Sequence, residues 1–282
     1  MDRSEFEKLD RVEDKMWWFA ALHRNLLMLA SRLPLERTDL PILDAGCGTG
    51  GLLELLAQRY PENTTLGLDV DWFACARAAI KSARPACAGS INQLPFADGA
   101  FAAIFSADVL CHGGVNEHSA LRQFHRCLVE GGCLVLNLPA YRWMLSRHDA
   151  AVSNIRRYTA TGLRRLLRAT GFRPVYVSYW NLVLFPLMVI TRKLLPGDPV
   201  AVSDVKLYPR MIDMLCRSAT DVELALLRAG LRFPFGGSII AIAVRRGVAH
   251  ASAPAPAKSR MGFLVANLGL PPFKRRKRGS RR

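Results

Sequence analysis

The chain has 282 residues, half of them hydrophobic, so it can bury a substantial core and is not disordered throughout. Its net charge of +16 is unevenly distributed, because residues 245–282 contain 11 basic residues and no acidic ones. The excess of positive charge therefore belongs mostly to the C-terminal segment, and the remaining part of the chain is only mildly basic.

The N-terminal forty residues predict helices and no secretory signal. Met1 to Asp14 is charged and lacks the apolar segment that signal peptides contain. Two helical patterns over residues 4–31 surround Trp17-Trp18-Phe19, and two prolines then bound a loop. We assign residues 1–40 to an N-terminal helical cap.

From residue 42 onward, strand and helix signals alternate, which is typical of a parallel sheet flanked by helices. Gly171 follows the last of the regular helical patterns, at the position where glycine commonly ends a helix. The predicted strands are 42–44, 64–70, 102–106, 133–138, 175–180 and 238–244, and the predicted helices include 52–56, 72–82, 117–128 and 161–170.

An uncharged segment of 18 residues, 174–191, has nearly the length of a membrane span. Asn181 and Pro186 interrupt it, and its first third has the pattern of a buried strand. We favour a strand followed by an apolar helix over a membrane span, while an interfacial helix stays open as an alternative.

The strongest motif is a glycine-rich loop between the first predicted strand and the following helix. It reads Leu43-Asp44-Ala45-Gly46-Cys47-Gly48-Thr49-Gly50-Gly51. Glycines at such a turn let backbone N–H groups approach a ligand closely. The spacing also fits the dinucleotide fingerprint, so spacing alone does not select the cofactor. An acid beside the loop favours a cationic sulfonium cofactor with an amino-acid tail over a pyrophosphate.

Two further motifs follow at the ends of the next strands. Asp69 ends the second predicted strand, where a carboxylate can accept hydrogen bonds from both hydroxyls of a ribose. Asp71 is the alternative, although we favour it as the N-cap of the following helix. The turn Leu94-Pro95-Phe96 could cover an adenine ring, and the next strand delivers Ser106-Ala107-Asp108 to the carboxyl edge of the sheet, where Ser106 is a candidate cofactor-binding residue.

Together these motifs resemble the class I S-adenosylmethionine-dependent methyltransferases, in particular a large bacterial group with an Asp-x-Gly-Cys-Gly-x-Gly loop. The resemblance covers residues 40–140 strongly and 141–245 more loosely. It implies a Rossmann-like α/β fold with a doubly wound, mostly parallel seven-stranded sheet, and S-adenosylmethionine as cofactor. It further implies that the methionine part lies against Asp44, Gly46, Gly48 and Gly50, the ribose at Asp69, and the adenine at Ile91 and Ser90.

Ser90 is a departure from the family pattern, which commonly has an acid after the third strand to bond the adenine amino group. A serine hydroxyl can accept that bond, but without charge assistance.

Methyl transfer from a sulfonium is an in-line displacement, so the protein supplies alignment and, for an oxygen acceptor, a base. His112 follows the fourth strand, and His148-Asp149 lies beyond the fifth. These are the candidate catalytic residues, and a structural role for each histidine is the alternative. No metal site is predicted.

Residues 142–173 contain eight arginines and one aspartate. Arginine binds phosphate or carboxylate in a bidentate way, so an anionic acceptor or an anionic membrane surface would explain this segment, and a solvated helix face is the alternative. We expect Arg156 and Arg157 to hold an anionic head group and residues around Trp180 to cover an apolar body. The apolar insertion 181–237 would then be an acceptor-side helical lid.

Residues 246–282 are rich in alanine and proline and end in a basic cluster, which predicts a disordered tail. Such a cluster can attract anionic lipid at the inner face of a membrane, and its lack of interleaved aromatic residues argues against a specific nucleic-acid site. Seven cysteines without a CxxC pair indicate a reducing compartment. We predict a cytoplasmic protein whose tail is a candidate for peripheral membrane contact.

The sequence thus predicts a methyltransferase domain over residues 41–245 that acts on a small acceptor, lipid-like or aromatic. Two alternatives stay open. One is a nucleotide-dependent oxidoreductase with the same loop geometry, and the other is a non-catalytic membrane- or nucleic-acid-binding protein with a degenerate cofactor fold.

Overall fold

Seven strands form one sheet in the computed structural model, which describes residues 3–35, 38–194 and 205–246. The strands are β1 (Ile42–Ala45), β2 (Thr65–Asp69), β3 (Ala86–Ala88), β4 (Phe101–Ala107), β5 (Leu128–Pro139), β6 (Phe172–Trp180) and β7 (Ser238–Arg245). Their spatial order is β3-β2-β1-β4-β5-β7-β6. Only β7 runs antiparallel to its neighbours. This confirms the predicted doubly wound, mostly parallel seven-stranded fold.

Helices cover both faces of the sheet in the described part of the chain. They are α1 (Arg3–Val12), α2 (Trp17–Ala30), α3 (Gly51–Arg59), α4 (Trp72–Ser82), α5 (Glu117–Cys127), α6 (Arg147–Ala151), α7 (Ala160–Ala169), α8 (Phe185–Val189) and α9 (Arg210–Arg228). A 3₁₀ turn at Arg142–Met144 and a π-helical turn at Ile190–Leu194 complete the regular structure.

Local sequence signals explain where several helices begin and end. The Asp71 side chain accepts hydrogen bonds from the N–H groups of Phe73 at 2.8 Å and Ala74 at 3.1 Å, which confirms Asp71 as the N-cap of α4. Gly171 follows α7 with a φ of +91°, a left-handed conformation that favours glycine.

Two apolar layers hold the helices on the sheet. On one face, α5 contributes Leu121 and Phe124, and α7 contributes Leu163 and Leu167. On the other face, α2, α3 and α9 contribute buried leucines; these are Leu22, Leu26, Leu29, Leu52, Leu56, Leu224 and Leu227. Each layer buries large aliphatic side chains almost completely, and this burial is the main source of favourable folding free energy.

The insertion is joined to the N-terminal cap through α9, which packs along α2. The backbone N–H of Trp17 donates to Asp213 Oδ1 at 3.0 Å. Arg32 donates to the carbonyl oxygen of Leu227 at 2.8 Å. These bonds, at opposite ends of the two helices, join segments that lie about 200 residues apart in the chain.

The uncharged segment 174–191 forms most of β6, then α8 and the start of the π-helical turn, as the sequence predicts. Among the described residues, no helix combines the length and the hydropathy that crossing a bilayer requires. The predicted tail lies outside the described residues, except for Arg246.

Candidate functional site

A cavity of about 750 Å³ lies at the carboxyl edge of the sheet. Its wall includes Asp44, Asp69, Ala107 and Pro139, which stand at the carboxyl ends of β1, β2, β4 and β5. Open α/β sheets bind their ligands at this edge. The same cavity continues from the glycine-rich loop to the insertion, so it has room for two ligands side by side.

The glycine-rich loop turns sharply because its glycines adopt left-handed conformations. Gly46 has a φ of +85°, and a Cβ there would lie 2.1 Å from a Val109 methyl carbon. Gly50 has a φ of +96°, and a Cβ there would lie 2.6 Å from the Ala78 Cα. Glycine is therefore required at both positions, at Gly46 because of Val109, which follows β4, and at Gly50 because of Ala78 on α4.

Asp69 faces the loop from the end of β2. Its Oδ2 accepts the Gly48 N–H at 3.0 Å, and its Oδ1 accepts the Asp71 N–H at 3.1 Å. Burial raises the pKa of this carboxyl, while the backbone N–H groups oppose the shift. Since a carboxylate offers about four lone-pair sites, both oxygens can accept a further hydrogen bond from the cavity, as a ribose diol requires.

Asp44 is 1% exposed, and its Oδ2 has no hydrogen-bond partner within the described part of the chain. Burial, and then the negative charges of Glu13 and Asp69, raise its pKa well above the usual range. A cation placed beside this carboxyl would pair with the free oxygen and favour the ionised form. This end of the cavity therefore fits a ligand that carries positive charge.

The β3 side of the cavity is lined by Val70, Ser90 and Ile91. The Ser90 hydroxyl accepts the Asn92 N–H at 3.2 Å. The turn 94–96 does not cover this wall, contrary to the expectation from the sequence. The structure places it in the core, where the Phe96 ring packs edge-on against another phenylalanine ring at 5.0 Å.

The N-terminal cap covers the glycine-rich loop. Glu13 Oε2 accepts the Thr49 hydroxyl at 2.8 Å and the Lys81 ammonium at 3.0 Å. Trp17 and Trp18 line the cavity, and the Trp18 ring also lies 6.1 Å from the Trp180 ring. The aromatic pair therefore both borders the cavity and packs on the edge of the sheet.

The other half of the cavity combines apolar and cationic side chains. Burial lowers the pKa of Arg157, Asp149 opposes this shift, and the nearby charge of Arg192 adds to it. The apolar lining comes from Trp17, Trp18, Phe19, Leu22, Leu184, Leu187, Met188 and Ile212, and the cationic lining from Arg157, Arg192 and Lys206.

Comparison with known proteins finds methyltransferases that are similar to this part of the chain. Residues 43–136, from β1 into β5, match the family model described as a methyltransferase domain. A trans-aconitate 2-methyltransferase from Methylobacterium nodulans is 35% identical over 115 residues, 39% of this chain and 42% of the relative. A malonyl-[acyl-carrier protein] O-methyltransferase from Dechloromonas aromatica is 33% identical over 137 residues, 48% of each chain.

Residues 43–136 thus carry a methyltransferase domain, as the resemblance of the sequence motifs to the class I S-adenosylmethionine-dependent methyltransferases implies. The aligned part spans about half the length of the relatives. The match favours methyl transfer over the oxidoreductase alternative. The positive charge of S-adenosylmethionine suits the Asp44 carboxyl, whose Oδ2 has no partner within the described part of the chain.

Solved structures show the same methyltransferase fold. The methyltransferase in the complex with the Haloferax volcanii Trm112 activator superposes with a TM-score of 0.56 at 18% identity, covering 88% of this chain and 100% of the other. The [4+2]-cyclase SpnF superposes with a TM-score of 0.55 at 19% identity, covering 81% of this chain and 82% of the other. Because one of these proteins is a cyclase, the fold alone does not fix the reaction.

The two candidate catalytic histidines, His112 and His148, both line the cavity. Burial lowers the pKa of His112 to about 4, so its ring is neutral at physiological pH. His148 lines the cavity, but its neighbour Asp149 does not. Its carboxyl accepts the Ser146 N–H and hydroxyl and pairs with Arg157 at 2.9 Å, which gives Asp149 a structural role in capping α6.

Several other predicted site residues of the methyltransferase point away from the cavity. Arg156 donates to the carbonyl oxygens of Leu110 and His112, so its guanidinium is used within the protein. Trp180 is fully buried. Ser106 donates to the Ala45 carbonyl oxygen at 2.9 Å. Of the residues predicted from the sequence, the cavity lining includes Asp44, Gly46, Gly48, Asp69, Ser90, Ile91, His112, His148 and Arg157, but not Gly50, Ser106, Asp149, Arg156 or Trp180.

Three functional candidates were missed by sequence reasoning. Asp108 lines the cavity directly after β4, at the edge where the sequence analysis placed it without assigning it a role. Arg192 and Lys206, which belong to the insertion, line the half of the cavity away from the glycine-rich loop. The acid at a strand end was a usable signal for Asp108, whereas no local pattern distinguishes the two cations of the insertion.

Proposed function

We propose that this protein transfers a methyl group from S-adenosylmethionine to a small amphiphilic molecule with an anionic end and an apolar body. The observation that carries the proposal is the continuous cavity, which joins the donor residues of the glycine-rich loop to an apolar wall and a cationic end. Its volume of about 750 Å³ lies within the range of pockets for small molecules.

The donor would bind along the carboxyl edge of β1, β2 and β3. Asp69 would accept the two ribose hydroxyls, and Asp44 would face the positively charged amino-acid end. Val70 and Ile91 would hold the adenine between them, with the Ser90 hydroxyl near its amino group. This arrangement gives each buried carboxylate a partner of suitable charge or hydrogen-bonding character.

The acceptor would bind between the N-terminal cap and the insertion. Leu184, Leu187 and Met188 would cover its apolar body, while its anionic end would lie beside Arg192 and Lys206. The mutual repulsion of the Arg157 and Arg192 charges supports an anion at this place, because a negative charge between them would relieve it.

The named relatives favour an anionic acceptor as well. Trans-aconitate and malonyl groups, which appear in the names of two of them, both carry carboxylates. Arginine is well suited to bind carboxylates because its planar guanidinium can donate two parallel hydrogen bonds. We therefore propose the cationic end of this cavity as the feature that selects the acceptor.

The test is methyl transfer from radiolabelled S-adenosylmethionine to a panel of hydroxylated and carboxylated fatty acids, alkyl phosphates and their uncharged ester or alcohol counterparts. Anionic members should be the better acceptors. The double variant Arg192→Ala/Lys206→Ala should lose about 2–4 kcal/mol in kcat/KM toward them, because two charge-assisted contacts are removed. Its affinity for S-adenosylmethionine should be unchanged.

Arg122→Ala is the matched control, because this arginine is exposed on α5 and outside the cavity lining. Equal turnover of charged and uncharged acceptors, or equal turnover by wild type and double variant, would contradict an anionic acceptor. A wild-type protein that does not bind S-adenosylmethionine would contradict methyl transfer itself and support the non-catalytic alternative.

A further inference from the structure

Asp108 occupies a constrained position between the two halves of the cavity. It directly follows β4, and its φ of +55° lies in the left-handed region that few residues other than glycine adopt. Its backbone N–H donates to the Asn137 carbonyl oxygen at 2.9 Å, which holds the turn against β5. Aspartate adopts this conformation more readily than most residues, and the turn fixes the position of the Asp108 carboxyl in the cavity wall.

A chain of buried hydrogen bonds orients the Asp108 carboxyl. The Trp180 indole N–H donates to Asn137 Oδ1 at 2.7 Å, and Asn137 Nδ2 donates to Asp108 Oδ2 at 2.9 Å. Trp180 and Asn137 are both fully buried. Because the indole can only donate, it fixes the Asn137 amide with its NH₂ group toward Asp108.

The second carboxyl oxygen of Asp108 is left for a ligand. Its Oδ1 is buried and has no hydrogen-bond partner among the residues that the structure describes. A buried acceptor without a partner is costly, so one such atom in a cavity wall points to a group that binds there.

This carboxyl lies on the donor side as well as on the acceptor side. Val109, the next residue, packs so closely on the glycine-rich loop that Gly46 has no room for a Cβ. The loop and the end of β4 are also tied by the bond from the Ser106 hydroxyl to the Ala45 carbonyl oxygen. Asp108 is therefore next to the part of the loop that would hold the methionine end of the donor.

We infer that Asp108 is the catalytic base of this methyltransferase and that the enzyme methylates a hydroxyl oxygen of the acceptor. The inference rests on the proposed function. Asp108 Oδ1 takes the hydroxyl proton while the oxygen lone pair forms the new bond to the methyl carbon. The carbon–sulfur bond breaks and its electron pair stays on sulfur, so the sulfonium and the carboxylate both become neutral.

The electrostatic surroundings of Asp108 suit a base. Burial raises its pKa to about 7, and the Asn137 bond opposes this shift. A general base works best when its pKa lies near the working pH. A neighbouring sulfonium would favour the ionised form further. The other titratable groups around the carboxyl are Arg157, Asp149 and Cys111. The cavity wall also contains Glu5, Glu13, His23, Asp44, Cys47, Asp69, His112, His148, Arg192, Lys206, Tyr208 and Cys216.

Calorimetric titration with S-adenosylmethionine and S-adenosylhomocysteine tests this inference without any acceptor. The two ligands differ by the methyl group and by the positive charge on sulfur. Since ionised Asp108 attracts that charge, the preference of the wild-type protein for S-adenosylmethionine should rise about fivefold between about pH 5.5 and about pH 7.5. In Asp108→Asn the preference should stay constant over this range.

Asparagine is the appropriate replacement, because it tolerates the left-handed conformation and its carbonyl oxygen can still accept the Asn137 NH₂ group. Asp39→Asn, an exposed aspartate outside the cavity lining, is the matched control and should behave as wild type. A constant preference in the wild type, or an undiminished rise in Asp108→Asn, would overturn the inference. The wild-type measurement decides even where the variant does not fold.

Turnover distinguishes a base from a purely electrostatic contact. With a hydroxyl acceptor from the panel above, Asp108→Asn should lower kcat by about 10²- to 10⁴-fold with a nearly unchanged KM for S-adenosylmethionine. Wild-type turnover by this variant would overturn the role as base. Failure of the wild type to bind either cofactor form would instead overturn the proposed function.

Discussion

The buried Asp44 carboxyl is a candidate binding residue that lowers the stability of the folded protein as the pH rises. Its pKa is raised by burial and by two neighbouring acids, so the folded state holds the proton to higher pH than the unfolded state does. Because the folded state binds more protons in that window, stability falls as the pH rises from about 3.9 through the raised pKa. A bound cation beside the carboxyl would offset this loss of stability.

Asp44→Asn should therefore stabilise the ligand-free protein near pH 7, by about 1 kcal/mol, because asparagine does not titrate and so does not carry the stability loss that the raised pKa of Asp44 causes as the pH rises. Near pH 4 the two proteins should unfold alike, and at neutral pH the variant should bind S-adenosylmethionine more weakly. Urea unfolding across this pH range, with calorimetry beside it, provides the measurement. A variant that is less stable than wild type at pH 7 would show that Asp44 has a structural partner.

At this scale the sequence predicted that the glycine-rich loop and Asp69 would line the sheet-edge cavity, but it did not predict which cations line the opposite half. The glycine-rich loop follows β1, and Asp69 ends β2. Their position at the carboxyl edge of the sheet therefore follows from the local pattern. Arg156 stands in an arginine-rich run, but its partners are two carbonyl oxygens that only the folded turn brings near. The positions of Arg192 and Lys206 in the cavity wall depend on how the whole insertion packs, which no local pattern predicts.

At the scale of elements, α1 and the turn after it are held onto the glycine-rich loop by buried charges. Lys81 on α4 donates to Glu13 at 3.0 Å and to Asp14 at 3.2 Å. The Lys81 side chain is 15% exposed and that of Glu13 7%. The loss of one partner from such a pair leaves a charge uncompensated in a poorly solvated place.

Lys81→Met should lower the free energy of unfolding by about 2–4 kcal/mol and speed the dissociation of S-adenosylmethionine, because α1 then lifts more easily from the donor residues. Chemical unfolding and stopped-flow displacement measure the two effects. Lys15→Met, at an exposed position in the same turn, is the control. The double variant Lys81→Met/Glu13→Gln should recover part of the stability, and no recovery would contradict the ion pair as the cause.

Sequence patterns predicted most strands and most of the helices that flank them, but they placed α9, the longest described helix, only within a helical insertion, and they missed β3 and α6. β3 has only three residues and α6 only five, too few for hydrophobic periodicity to show. The 3₁₀ and π-helical turns depend on packing after the chain has folded. The antiparallel direction of β7 also has no local signature, because an apolar strand reads the same in either direction.

At the scale of the whole molecule, the charge is concentrated at one end of the chain. Residues 247–282 hold nine basic residues and no acidic ones. Clusters of this kind attract anionic lipid surfaces, and the attraction weakens as salt screens it. We propose that this segment gives peripheral attachment and takes no part in the donor site.

A chain that ends at Arg246 should lose its salt-sensitive binding to vesicles rich in anionic lipid and keep its affinity for S-adenosylmethionine. Vesicle co-sedimentation at low and high salt measures the first property, and calorimetry the second. Neutral vesicles are the control. Binding that survives the truncation would assign the attachment to the uncharged segment 174–191 or to the arginine-rich segment 142–173.

We propose that the contact between α2 and α9 couples the binding of the donor to that of the acceptor. α2 continues the cap that covers the glycine-rich loop, and α9 belongs to the insertion that lines the other half of the cavity, with the Trp17–Asp213 bond at their junction. A ligand that orders one helix would spare the second ligand part of the ordering entropy. By linkage, each would then tighten the binding of the other by the same factor, so a used donor that stays bound would also slow the release of the acceptor.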